Sequence, residues 1–380
     1  MEWSPRSGYN GICYIEPYIY IAGGYDGDNK HTAGLSNTWS LNVKTLEWKE
    51  LANMFSKRLY LTCSAYRENN SFFAVGGGTS VTEFKRIPSE SSRSGFEKVQ
   101  IRPFPLFKND KGKLKLVEEY DIKNNVWRTL PYMRDFRSDS SSIVINHNLI
   151  VCGGFDGKKC LDSVEYFNYR GAQMWCYLSS MRTLRSGLSP VYYQDSLVAM
   201  GGYPGKIEDD FGHKKDGPRL DTWEILTGVT ELFENISLTE KMQDKTSQEY
   251  EKLKSRQDSF NWKPLPSKFN TGRSNFGACV LNDNEIIICG GYNHQSIEDE
   301  ETGELKGGTL NNCERFVGNL YNQVKTSSAI CGFSSSPTFR KTGWEEIDSL
   351  PVELSAMTVV TVSSSDEPLS RLLGKSFGSH

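Results

Sequence analysis

Five stretches of the chain share one pattern, an apolar run closed by two glycines. They are YIYIAGG ending at Gly24, SFFAVGG at Gly77, NLIVCGG at Gly154, DSLVAMGG at Gly202 and NEIIICGG at Gly291. An arginine stands 16 to 18 residues before each first glycine, at Arg6, Arg58, Arg137, Arg185 and Arg273, with a strand-like run such as SSSIVI or FGACVL between. That spacing suits a two-stranded hairpin and predicts the first two strands of a repeated unit. After the glycines the register returns at Leu35, Leu114, Leu161, Leu220 and Leu310, and six residues later at a large apolar residue: Leu41, Tyr120, Phe167, Leu226 and Phe316. A tryptophan follows past a turn, at Trp48, Trp127, Trp175, Trp262 and Trp344. These positions predict strands three and four. A four-stranded sheet of this size cannot bury its own faces, so neighbouring units must stack.

The order arginine, double glycine, aromatic, tryptophan resembles the kelch repeat, and Val151 to Trp175 (VCGGFDGKKCLDSVEYFNYRGAQMW) is a near-complete copy. The resemblance implies an all-β, kelch-type β-propeller filling residues 1–380 as a single domain. Its units are 6–53, 58–133, 137–181, 185–266 and 273–351, with a degenerate sixth over 354–375. Leu41 and Leu226 replace the family's tyrosine, and Gly77 is followed by a third glycine. Six blades are expected, with five as the alternative. The ring would close by pairing of the termini, Glu2 and Trp3 lying beside LSAMTVVTV (Leu354 to Val362).

The unequal spacing of the glycine pairs assigns the extra length to insertions at 79–113, 227–261, 294–308 and 318–343. The first is expected to hold a protruding hairpin. The second is expected to hold a charged helix, with a capping-box start at Ser237 and Glu240. The last two read as flexible segments.

Charge and composition narrow the function. Lys plus Arg number 44 against 47 Asp plus Glu, a formal charge of -3, so no global field attracts nucleic acid or an anionic membrane. No apolar run is long enough to span a membrane, and MEWSPRSGYN lacks a signal-peptide pattern, so a cytoplasmic protein, also able to be nuclear, is expected. Nine cysteines without a C-x-x-C pair and five scattered histidines indicate neither a disulfide framework nor a metal centre, and no cofactor is expected. No nucleophile elbow or phosphate loop is present; GYDGDN and GFDGKK are turns. The cysteine, tyrosine and histidine cluster of copper-radical oxidases is not found, and Asp209 to His213 lacks the glutamate of the nitrile-specifying type. A non-catalytic protein is expected, an enzyme at the channel being the alternative of another class.

The resemblance also implies where a partner binds. In kelch substrate adaptors the residues at the RS and GGY-like positions line a peptide pocket. Here these are Arg6, Ser7, Tyr25, Arg137, Ser138, Phe155, Arg185, Ser186, Tyr203, Arg273, Ser274 and Tyr292. Arginines grip carboxylates and tyrosines anchor interfaces, so an acidic or phosphorylated protein segment is the expected ligand. The expected function is that of a monomeric interaction module, a substrate receptor or scaffold in a cullin-type ubiquitin ligase, with an actin-associated role as the alternative. BTB and BACK regions have no room before Arg6, so recruitment to a ligase would need another subunit.

Overall fold

Each apolar run that ends in a double glycine is the second strand of a four-stranded antiparallel sheet. The computed structural model describes residues 9–25, 34–79, 108–208, 212–281, 285–293, 297–298, 305–306, 308–318, 320 and 343–350. The first sheet contains β1 (Gly11–Ile15), β2 (Tyr18–Ala22), β3 (Thr38–Asn42) and β4 (Trp48–Leu51). The second contains β5 (Thr62–Tyr66), β6 (Ser71–Val75), β7 (Val117–Asp121) and β8 (Val126–Thr129). The third contains β9 (Ser141–Ile145), β10 (Asn148–Cys152), β11 (Val164–Asn168) and β12 (Trp175–Leu178). In the fourth, β13 (Ser189–Tyr192) and β14 (Ser196–Met200) are followed by a side hairpin of β15 (Lys206–Glu208) and β16 (Lys214–Asp216) before β17 (Trp223–Thr227). Helices α1 (Val229–Lys241) and α2 (Gln248–Ser259) then precede its last strand, β18 (Lys263–Pro264). The fifth contains β19 (Gly277–Leu281) and β20 (Glu285–Cys289), a side hairpin of β21 (Ile297–Glu298) and β22 (Leu305–Lys306), then β23 (Cys313–Val317) and β24 (Trp344–Ile347).

The first strands β1, β5, β9, β13 and β19 are neighbours in that order, so the sheets stand radially as blades around an axis. The alternation of side chains along each second strand explains why it is apolar throughout. In β6, Phe72 and Ala74 enter the core shared with the first blade, while Phe73 and Val75 enter the core shared with the third. In β14, Leu197 and Ala199 face the third blade, and Val198 and Met200 the fifth. The large residue of the third strand and the tryptophan of the fourth both face the preceding blade. Phe167 and Trp175 lie in the core against the second, and the Trp175 indole N–H donates to the Pro131 carbonyl at 2.8 Å. Trp127 and Trp262 donate in the same way to Ala52 and Ser179.

The insertions differ in part from expectation. Ser237 and Glu240 do not begin a helix but lie inside α1, whose N-cap is Gly228. The apolar residues Val229, Leu232, Phe233 and Ile236 of α1 seat it against the core between the third and fourth blades, which sets its start upstream of the capping-box pattern. A second helix starts at Ser247, whose hydroxyl accepts the Tyr250 N–H. Of insertion 79–113, a turn closed by the Lys108 to Leu114 bridge is described. Insertion 294–308, expected to be flexible, carries the β21–β22 hairpin. The degenerate sixth unit, the termini proposed to close the ring and most of 318–343 lie outside the described residues, within which five blades are seen.

Candidate functional site

The first strand of each blade starts, and its second strand ends, at the same end of the propeller, so the arginines, the double glycines and the loops between second and third strands share one face. Two residues before each inner strand the backbone is left-handed, at Tyr9, Tyr60, Asp139, Gly187 and Asn275. These residues are chained by hydrogen bonds around the channel. Tyr60 N–H donates to Tyr9 O at 2.8 Å, Asp139 to Tyr60 at 3.0 Å, Gly187 to Asp139 at 2.8 Å and Asn275 to Gly187 at 2.8 Å. Below this mouth the inner strands line a cavity of about 330 Å³, walled by Thr62, Ser64, Ser141 and Ser142 among others.

The repeated arginines do not reach this mouth. Arg137, Arg185 and Arg273 are wholly buried, which corrects the expectation that they grip a partner. Each clamps its own blade. Arg137 donates to Gly153 O at 2.7 Å and Ser163 O at 3.0 Å and pairs with the buried Glu165 at 2.8 Å. Arg185 makes the same contacts to Gly201, Thr222 and Glu224, and Arg273 to Gly290, Asn312 and Glu314. Arg58 repeats them with Gly76, Leu116 and Glu118. A buried guanidinium needs acceptors and a matching charge. The strand-three glutamate supplies the charge and one acceptor and the carbonyls supply others, although Arg58 Nε has no partner among the described residues. Its carboxylate also accepts backbone N–H groups from the loop arriving from the previous blade, as Glu165 does from Arg134 and Asp135.

The serines are buried too. Ser138 exchanges backbone hydrogen bonds with Phe155 at 3.0 and 2.8 Å, and Ser186 with Tyr203 and Ser274 with Tyr292 do likewise. Thus the structure brings the three described RS serines each to the aromatic of its own unit. The four aromatics Tyr25, Phe155, Tyr203 and Tyr292 are half-buried at the mouth. Arg6 and Ser7 lie outside the described residues.

Two cations that the repeat pattern does not single out occupy the face. The Lys113 ammonium lies 5.5 Å from the Phe155 ring centroid and 6.0 Å from that of Tyr60. It runs past Gly78, the third glycine, where an added Cβ would make only an ordinary 3.6 Å contact with Nζ. Arg219 is sandwiched between Tyr203 at 4.2 Å and Tyr292 at 5.1 Å, and its Nε donates to Ser274 Oγ at 3.0 Å. Its Nη1 is buried without a hydrogen-bond partner among the described residues. A signal for both existed in the sequence. Lys113 and Arg219 directly precede register leucines 114 and 220, the position where the chain folds back onto the mouth.

Burial shapes the ionisable groups. It pushes the thiols of Cys63 up to about 12 and those of Cys160 and Cys279 to about 11, so none is a ready thiolate. Asp139 is raised by desolvation, against which the Ser138 hydroxyl and Lys113 act. Tyr203 rises to about 12, through burial and then its hydrogen bond to Asp216 at 3.0 Å.

The Kelch motif model matches residues 6–55 and 137–182, two of the five blades described. The chain is a kelch-type β-propeller. It is similar to two proteins of Caenorhabditis elegans, the kelch repeat-containing protein kel-10, 26% identical over 43% of this chain, and the spermatocyte protein spe-26, 26% identical over 42%. The matched part is 23% of each relative's length, so this kelch propeller spans less than a quarter of the curated relatives it matches. Among solved structures, YjhT superposes with a TM-score of 0.58 over 93% of this chain and 87% of that one, at 14% identity, which supports the propeller fold. None of the described helices is long and apolar enough to cross a membrane.

Proposed function

We propose that this kelch propeller is a non-catalytic interaction module that holds an acidic segment of a partner protein across the channel mouth. One observation carries the reading: the Arg219 guanidinium is held between two tyrosine rings at the channel mouth, in a residue that stays half-exposed. An arginine fixed between two rings and still half-exposed is prepared for a carboxylate or phosphate, because its ordering cost is already met. Lys113 extends the cationic strip beside Phe155, and the aromatics supply stiff contact area. Kelch-type family membership favours a binding role, and a third Caenorhabditis elegans relative, 27% identical over 42% of this chain, is named as a kelch repeat and BTB domain-containing protein. On that footing, substrate reception for a cullin-type ligase is the reading we favour for the bound segment, ahead of an actin-associated role.

Panning a displayed peptide library against the chain tests this. Acidic sequences whose capture is lost in Arg219→Ala support the reading. Selection of sequences without acidic residues, or capture indifferent to Arg219→Ala, refutes it.

A further inference from the structure

In the fifth blade two cysteines stand directly opposite each other on neighbouring strands, Cys289 at the end of β20 and Cys313 at the start of β23. The Gly290 N–H donates to Asn312 O at 3.1 Å just beyond them, so the cysteines form the non-hydrogen-bonded kind of antiparallel pair, in which side chains come closest. The α-carbons of such a pair stand about 4.5 Å apart, within the roughly 4.4–6.8 Å that a disulfide spans. Both thiols lie on the face turned away from the fourth blade, since Ile286, Ile288 and Phe316 fill the core on the other side. The Cys289 thiol hydrogen-bonds the Cys313 sulfur.

Packing does not require thiols here. The equivalent opposed positions hold Val75 and Val117 in the second blade, Cys152 and Val164 in the third, and Met200 and Trp223 in the fourth, all buried. An apolar pair therefore serves the fold. No other two described cysteines face each other across a strand pair: Cys13 opposes Tyr20, Cys63 opposes Ala74, Cys176 opposes Tyr166 and Cys279 opposes Ile287. The residues flanking the pair belong to the clamp of this blade, since Gly290 O and Asn312 O accept from Arg273 at 2.7 and 3.2 Å. A bond between the two sulfurs would close the loop from Gly290 to Asn312, which carries Tyr292 and the β21–β22 hairpin.

We infer that Cys289 and Cys313 are a reversible thiol–disulfide pair, closed by a peroxide and reopened by a dithiol. The thiolate of one cysteine attacks a peroxide oxygen, the O–O bond breaks, the leaving hydroxide takes up a proton as water, and a sulfenic acid remains. The second thiol then attacks that sulfur. The S–S bond forms as the S–O bond breaks, and a second water leaves with the thiol proton. Two electrons pass from the two sulfurs to the peroxide, and exchange with a dithiol returns them. Burial foremost, then the adjacent Cys313 thiol, holds the Cys289 thiol well above its ordinary range, so its thiolate is scarce and closure speeds up as pH rises.

The inference does not depend on what the channel mouth binds. The folded full chain is treated with hydrogen peroxide at about pH 7 and about pH 8.5, alkylated in denaturant and mapped by mass spectrometry without reduction. A linked pair of peptides carrying Cys289 and Cys313 is expected, in a chain two hydrogens lighter that dithiothreitol restores, with faster closure at the higher pH. The oxidised chain should melt about 3 °C higher, because the bond restricts the Gly290 to Asn312 loop when unfolded. Cys289→Val, which copies the valine of the second blade, should fold as the wild type does and show neither the link nor the rise. Cys289 joined to Cys279, a link that forms only in urea, a lower melting temperature after oxidation, or two thiols still open to alkylation would each overturn the inference.

Discussion

Arg137 and Glu165 are both fully buried, and the 2.8 Å ion pair between them ties the entry of the third blade to its own third strand. Glu165 is at the same time the acceptor for Arg134 N–H at 2.7 Å and Asp135 N–H at 3.1 Å, so one carboxylate fixes both the blade and the loop arriving from its neighbour. Removing it leaves a buried guanidinium without countercharge. Glu165→Ala should therefore destabilise the chain by about 3–5 kcal/mol, read from urea unfolding. A loss under about 1 kcal/mol would mean that the clamp is not what holds the blade.

The same geometry separates arginines that fold the protein from the arginine that serves it. Arg137→Ala, Arg185→Ala and Arg273→Ala should each unfold or strongly destabilise the propeller. Arg219→Ala removes two ring contacts and one hydrogen bond at a partly exposed site, and should cost about 1–2 kcal/mol while abolishing capture of an acidic segment. Circular dichroism melts run beside a binding assay distinguish the two sets. If Arg219→Ala melted like Arg185→Ala, the mouth would have no dedicated anchor.

This contrast also shows what the sequence made legible. The glycine pairs, register leucines and tryptophans mark the strand ends because the same local geometry recurs in each blade, and repetition exposes it. The arginine was visible for that reason, yet its burial was not. Its partner is a glutamate four residues past the register leucine, inside strands such as VEYFN and WEILT, where a charge reads as a solvent-facing residue. In the first blade Trp39 stands at that position, which hid the rule further. Lys113 and Arg219 were missed because they come from segments of unequal length, which stacking the repeats discards. The start of α1 escaped notice because tertiary burial of Val229 and Leu232 outweighed the capping signal at Ser237.

Gly153 offers a test of how tightly successive blades are joined. Its φ is 58°, and an added Cβ would lie 2.2 Å from the carbonyl oxygen of Arg185 in the next blade, the oxygen that accepts the Gly154 N–H at 2.8 Å. Gly153→Ala thus meets both left-handed strain, about 1–2 kcal/mol, and a backbone clash that cannot be relieved by rotating a side chain. A loss above about 2 kcal/mol is expected, exceeding the strain alone. Gly212→Ala is the control, since its φ is also positive, at 82°, but its nearest neighbour is the Glu208 carboxylate at 3.5 Å. Equal losses at the two sites would show that strain, and not the contact between blades, sets the cost.

Asp139 gives a pH-dependent prediction of a sign opposite to that of a salt-bridged acid. Desolvation at the mouth raises its pKa in the folded chain, so the folded state holds the proton more tightly than the unfolded state does. Its contribution to stability is therefore most favourable below the unfolded carboxylate range, near pH 4, and declines as pH rises through the folded value. Asp139→Asn removes that penalty and keeps a residue tolerant of the 52° φ at this position. The variant should be more stable than the wild type at pH 7, with the difference shrinking to nothing as pH falls to about 3. Urea titrations of both proteins across that range check the slope, and a variant less stable at pH 7 contradicts the assignment. The substitution also removes an anion close to Lys113, so an acidic segment should bind Asp139→Asn more tightly than the wild type at pH 7; weaker binding would mean that Asp139 itself contacts the ligand.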